Sequence, residues 1–168
     1  IELCAEAAKN IIGLGLPEAM QVLFPQQMSL QPKIQASYSE HYVANSHSQH
    51  WFAGVENLLD KLASQDILLA VATGKSRVGL DRVLAQTNSA NKFVATRCAS
   101  ETLSKPHPMM LAQLLRHTDV SACRAVMVGD TSYDLEMARN IEMPRIGVSY
   151  GVHDAQTLMQ YQPLAIVD

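Results

Sequence analysis

Charge and cysteine are scarce in this 168-residue chain. Charged residues make up 17% and sum to −3, and no basic block occurs, which removes the electrostatic footprint expected of a nucleic-acid binder. No apolar run approaches the ~18 residues that span a bilayer, and no signal-peptide pattern is present. A cytoplasmic protein with neither a membrane nor a nucleic acid as partner is therefore expected. The three cysteines, Cys4, Cys98 and Cys123, are odd in number, widely spaced and without a C-x-x-C pair. They predict reduced, mostly buried thiols. A P-loop is also missing, because no stretch has the spacing G-x-x-x-x-G-K-[ST]. What is plentiful is apolar residue, at 48%, enough for one core and a small appendage. The chain begins with Ile1 inside a helix-like stretch, so it is expected to be a piece of a longer protein.

Residues 1–50 differ in character from the rest. Glu2–Ile12 carries apolar residues at helical intervals until Gly13 and Gly15 interrupt it. Pro17 suits a first helical position and predicts a helix to about Phe24, which Pro25 ends. From about Pro32 to Ser46, Ile34, Tyr38 and Tyr42 recur every four residues as one apolar stripe. The stretch 46–54, SHSQHWFAG, reads as a linker. From Gly54 onward helix and strand alternate. Helices are predicted around Val55–Leu62, over Ser76–Gln86, Pro108–Arg116 and Thr131–Asn140. Strands are predicted at Ile67–Ala72, Phe93–Thr96, Ala125–Val128 and Arg145–Val148. Strands separated by helices of this length imply an α/β fold with a parallel sheet and right-handed crossovers.

Three segments at strand ends could carry chemistry. The first is Thr73–Ser76: a hydroxyl, an unhindered backbone at Gly74 and a helix start. It could hold a phosphate, or Thr73 could simply cap the helix. The second is Ser104–Pro108, SKPHP, in which Lys105 is held between rigid residues. It could neutralise a phosphate or crowded carboxylates, a pairing worth roughly 4 kcal/mol at ~4 Å and an effective dielectric of about 20. It could equally be a solvated loop lysine. His107, flanked by two prolines, reads as structural. The third is AVMVGDTSYD (125–134), four apolar residues that read as a buried strand, then Asp130 at the strand end and Asp134 in the first turn of a helix. Two carboxylates converging there would suit a hard cation such as Mg²⁺, and would otherwise only cap the helix.

Taken together, VATGKSRVGLDRVL, SKPHP and MVGDTSYDLEMA resemble the second, third and fourth motifs of the haloacid dehalogenase-like (HAD) hydrolase superfamily, and within it the phosphoglycolate phosphatase-like group. IIGLGLPEA (11–19) is similar to a cap segment of that group, and VSYG (148–151) to the turn after its fifth strand. The resemblance implies a Rossmann-like three-layer core over 51–168 and a partial helical cap over 1–50. It implies that Thr73 and the Gly74 N–H bind phosphoryl oxygens and that Lys105 steadies the charge on nucleophile and phosphate. Asp130 would ligate Mg²⁺ directly, and Asp134 would act on the metal or its waters.

One motif of the family is absent. D-x-D-G-T, which supplies the nucleophilic Asp and a second, acid/base Asp, occurs nowhere in the chain. In the family its strand lies at the sheet centre, between the strands ending here at Thr73 and Gly129. Roughly 30 upstream residues are thus expected beyond this sequence, and a short extension after Asp168. The intact protein is expected to be a Mg²⁺-dependent phosphatase of small phosphorylated metabolites, monomeric or weakly dimeric. A sugar-phosphate mutase of the same fold, and an inactive relative that binds a phosphorylated ligand or a protein, are the alternatives. The paired aspartates argue against a metal-free dehalogenase. The chain as given, without a nucleophile, is expected to be inactive and to bind metal weakly or not at all.

Overall fold

The computed structural model describes residues 4–45 and 51–168. The predicted helix start at Glu2 and residues 46–50 of the predicted linker lie outside the described residues. The N-terminal part holds helices α1 (Ala5–Asn10), α2 (Leu16–Leu23) and α3 (Gln31–Asn45). After α4 (Val55–Ala63) the chain alternates: β1 (Ala70–Thr73), α5 (Arg77–Gln86), β2 (Ala95–Cys98), α6 (Met109–Thr118), β3 (Met127–Gly129), α7 (Ser132–Arg139), β4 (Arg145–Val148), α8 (Ala155–Met159) and β5 (Ala165–Val167). The α/β class follows as predicted. The last two elements have no sequence signal, since one turn of helix and three strand residues are too short to show a period.

Local chemistry explains the boundaries. Gly15, extended, caps α2, Pro17 sits in its first turn, and the helix stops where the Phe24 N–H donates to the Met20 carbonyl ahead of Pro25. The Ser76 hydroxyl accepts from the Gly79 N–H and starts α5. The Asp154 carboxylate accepts from the Thr157 N–H at 2.8 Å and starts α8, and that backbone bond lowers its pKa. Asp119, in the left-handed region, closes α6.

The strands are all parallel, in two separate sheets. Strand β1 pairs with β2 in the register Ala70↔Ala95 to Thr73↔Cys98. Strand β3 pairs with β4 and β4 with β5, from Met127↔Arg145 and Ile146↔Ala165. Among the described residues no strand joins β1 to β3. What unites the halves is α6, whose Met110, Leu111 and Leu114 are buried in one core with Ala95, Met137, Ala138 and Met143. Ala72 of β1 and Met127 of β3 pack against it. A second cluster joins Leu80 and Leu84 of α5 to Cys98, Val71 and Phe93.

The split leaves one face bare and corrects several sequence readings. AVMV is not uniformly buried: Val126 is 51% and Val128 54% exposed, because the core covers only the Ala125 and Met127 side. Ile67 and Leu68 likewise lie exposed, outside β1. Leu58 of α4 is exposed, and α4 packs against the short turn of helix at Ala90–Lys92. The α3 stripe is also unburied, with Tyr38 and Tyr42 exposed and stacked on each other at 6.1 Å.

The thiols divide otherwise than predicted. Cys4 and Cys123 are exposed and only Cys98 is buried. Burial pushes the Cys98 thiol from 9.0 up to about 11. The folded state thus keeps a proton on Cys98 that the unfolded chain releases first. Its contribution to stability is whole below pH 9.0 and is lost as pH rises towards about 11. We predict that a thiol reagent titrates two cysteines in the native protein and the third only on unfolding. Between pH 9.0 and about 11, melting temperature should fall less steeply in Cys98→Ala than in the wild type.

Candidate active site

Every candidate residue falls at or beside the carboxyl end of a parallel strand, where open α/β sheets present their ligand sites. Thr73 is the last residue of β1, Lys105 lies in the loop from β2 to α6, Asp130 follows β3, and Asp134 is the third residue of α7.

At the end of β1 the helix cap is Ser76, not Thr73. The Thr73 hydroxyl oxygen accepts from the Lys75 N–H at 3.2 Å, which shapes the turn and leaves the hydroxyl hydrogen free of α5. Gly74 is required by close approach: a Cβ there would stand 2.6 Å from the Leu14 carbonyl oxygen and 2.7 Å from that of Gly13. The N-terminal segment therefore lies directly over this turn. The Lys75 ammonium donates to the Tyr42 hydroxyl at 3.1 Å and sits 5.2 Å from the centre of its ring.

Lys105 is buried at 7% exposure, and its ammonium meets Asp134 Oδ1 at 2.6 Å. Asp134, at 4% exposure, spends its other oxygen on Thr131, accepting from the hydroxyl at 2.6 Å and the N–H at 3.3 Å. The Asp134 N–H donates back to the Thr131 hydroxyl oxygen at 3.3 Å, completing a capping box. The carboxyl group packs across the end of β3, where a Cβ at Gly129 would lie 2.3 Å from Asp134 Cβ. Lys105 is thus a paired interior cation, which removes the solvated-loop alternative. His107 is exposed and accepts the Met109 N–H on Nδ1 at 3.2 Å, the structural role predicted for it.

Asp130 faces elsewhere. Its Oδ2 accepts the Val152 N–H at 3.0 Å, and its carbonyl accepts the His153 N–H at 3.0 Å. The predicted converging pair is therefore divided: Asp134 is turned inward to Lys105 and Thr131, and Asp130 to the turn after β4. Among the described residues no three His, Cys, Asp or Glu side chains assemble into a metal cage. A hard cation takes about six oxygens. Asp130 fits one of those positions, since no described residue bonds its Oδ1, whereas both Asp134 oxygens are engaged. The residues present fit one corner of a Mg²⁺ site.

In the sequence Gly13 and Gly15 read as helix breakers within a segment similar to a cap. The structure seats them on the site. The Gly15 N–H donates to the Ser104 hydroxyl at 2.7 Å, and Gly13, at φ +113°, lies against the Thr131 side chain. The Tyr133 hydroxyl donates to the Asn10 carbonyl at 2.8 Å. Ser104, Thr131 and Gly151 were read only as parts of SKPHP, of a helix start and of VSYG, and His153 went unread. Their signal was adjacency to recognised motifs, not any pattern of their own.

Removing one partner from a buried ion pair leaves an uncompensated charge and costs about 3–5 kcal/mol. The surface pair Arg77–Asp81, at 3.1 Å, should contribute only about 0.3–0.5 kcal/mol. We predict that Lys105→Met destabilises by the larger amount and Asp81→Ala by the smaller, as read from urea midpoints.

A family model for haloacid dehalogenase-like hydrolases matches residues 2–148. The chain is 26% identical over 164 residues to a phosphoglycolate phosphatase of Photobacterium profundum, covering 96% of this chain and 71% of that protein. It is 35% identical over 118 residues to the probable phosphatase IndB of Dickeya dadantii, covering 70% of this chain and 51% of the relative. Among solved structures, a hydrolase from Pseudomonas syringae superposes with a TM-score of 0.89 at 17% identity, over 99% of this chain and 78% of that one. A β-phosphoglucomutase from Clostridium difficile does so at 0.85 and 16% identity, over 100% and 77%. At such identities these two likenesses concern the fold alone.

Proposed function

This chain belongs to the haloacid dehalogenase-like hydrolase family, in its phosphoglycolate phosphatase-like group, and on that premise we propose that it serves a Mg²⁺-dependent phosphatase of small phosphorylated metabolites. The observation that carries the reading is the buried Lys105–Asp134 pair beside Asp130. An ammonium held at low exposure among strand ends is costly to bury. Its position suits charge neutralisation of a phosphoryl group.

Each residue then has a task. The Thr73 hydroxyl and the Gly74 N–H bind phosphoryl oxygens at the end of β1. Lys105, held in place by Asp134, opposes the negative charge of phosphate and nucleophile, an electrostatic role that needs no reorganisation during reaction. Asp130 supplies one carboxylate oxygen to Mg²⁺, which when bound neutralises phosphate charge. The nucleophile is assigned by resemblance to the first Asp of a D-x-D-G-T strand. Strand β3 pairs with β4 on one side, and among the described residues no strand pairs with its other edge or joins it to β1, which supports a strand in that place. Its carboxylate would attack phosphorus in line, expel the alcohol and form an aspartyl phosphate that water hydrolyses. Residues 1–50 act as a cap, with Gly13–Gly15 seated over Gly74 and Ser104. The cytoplasm is the proposed setting, and no described helix is long and apolar enough to cross a membrane.

In protein that includes the D-x-D-G-T segment, Asp130→Asn should lower Mg²⁺-dependent hydrolysis of p-nitrophenyl phosphate by on the order of 10²–10³, the loss typical of one preorganised electrostatic group. An unchanged rate at saturating Mg²⁺ would remove Asp130 from the site. Absence of hydrolysis in the wild type, with retained binding of a phosphorylated ligand, would favour the inactive relative.

A further inference from the structure

The turn after β4 has no part in the chemistry above, yet it grips Asp130. Gly151 lies so close that a Cβ there would stand 2.2 Å from Asp130 Cβ and 2.3 Å from its Oδ2. Any side chain at 151 must displace the carboxylate. The next two residues hold what Gly151 admits. The Val152 N–H fixes Oδ2, and the His153 N–H fixes the Asp130 carbonyl. The His153 ring closes the circuit, its Nδ1 accepting the Ser132 N–H at 2.9 Å.

Ser132 opens α7, so its amide is one of the donors a helix start leaves without an intrahelical partner. An acceptor from a distant turn satisfies it. With Nδ1 accepting, the neutral ring carries its proton on Nε2, which is buried and without a partner among the described residues. The Tyr133 ring, centred 6.1 Å away and tilted, packs beside the imidazole. The three bonds reach Asp130 and the residue two beyond it. A turn that served only to start α8 would need none of them, because Asp154 already caps that helix.

We propose that Gly151–His153 is a positioning element for Asp130: it fixes the backbone and Oδ2, leaving Oδ1 as the oxygen offered to the cation, with His153 as the positioning side chain. This rests on Asp130 being the Mg²⁺ ligand. The role is one step removed from the metal, and loss of such outer partners commonly costs 10–100-fold in metal affinity.

The test compares His153→Leu, which lacks the acceptor, with His153→Asn, whose amide oxygen can replace Nδ1, in protein that includes the D-x-D-G-T segment. Two readouts are taken: hydrogen exchange of the Ser132 and Val152 amides without metal, and the Mg²⁺ concentration giving half-maximal hydrolysis of p-nitrophenyl phosphate. His153→Leu should speed exchange at both amides and raise the Mg²⁺ requirement on the order of tenfold, with a smaller change in kcat at saturation. His153→Asn should stay close to the wild type in both. Equal impairment of the two variants, or wild-type exchange and Mg²⁺ requirement in His153→Leu, would overturn the proposal. Should His153→Leu not fold, Gly151→Ala keeps the imidazole and should still raise the Mg²⁺ requirement, and an unchanged requirement would overturn it. If the wild type shows no Mg²⁺-dependent hydrolysis, the phosphatase reading fails. Exchange at Val152, faster in His153→Leu or Gly151→Ala than in the wild type or equal to it, then decides for or against the element by itself.

Discussion

The ion pair between Lys105 and Asp134 is the contact on which the site's geometry depends. A charge at this depth persists only with a partner and with its remaining polar valences filled. Here Lys105 occupies one carboxylate oxygen and Thr131 the other, so the β2–α6 loop, the end of β3 and the start of α7 are locked to one another. Gly129 is glycine because Asp134 lies across it. The direction of Asp130 follows. With Asp134 drawn inward, the neighbouring aspartate turns to the amides after β4.

The two-part sheet gives this lock its importance. Strands β1 and β3 share no hydrogen bonds, and the halves meet through side chains of α6 packed on Ala72, Ala95 and Met127. Apolar packing is non-directional and sets no register between the sheets. Directed contacts across the gap come instead from Lys105–Asp134, from the Asn140 amide donating to the Pro106 carbonyl, and from the N-terminal segment, which bonds Ser104 through Gly15 on one side and Tyr133 through Asn10 on the other. The helices before β1 are therefore part of how the site is held, as well as how it is covered.

The relatives and the geometry carry different parts of the functional reading. The family match gives the class of protein, and the phosphatase names belong to the relatives themselves. The mutase shares only the fold. What bears on chemistry in this chain is the buried lysine, the Asp130 carboxylate oxygen that no described residue bonds, and the glycine turns that admit backbone close to both.

Much of this was legible in the sequence. Alternating helix and strand after Gly54 dictated a parallel α/β fold, because apolar runs four residues long between amphipathic helices have no other economical packing. Prolines, glycines and capping hydroxyls set most helix starts, because those preferences act within a few residues. The sequence also put Thr73, Lys105, Asp130 and Asp134 at strand ends. It did not determine which faces were covered or where each side chain turned. Val128 looked buried and is half exposed, since burial depends on a partner layer and not on the residue. Asp130 and Asp134 looked like a pair and are divided, since Lys105, 29 positions from Asp134, competes for one of them. Gly15 and Ser104 meet across 89 positions, and His153 reaches Ser132 across 21. Contacts at such separations leave no periodicity to read, and only the tertiary structure decided them.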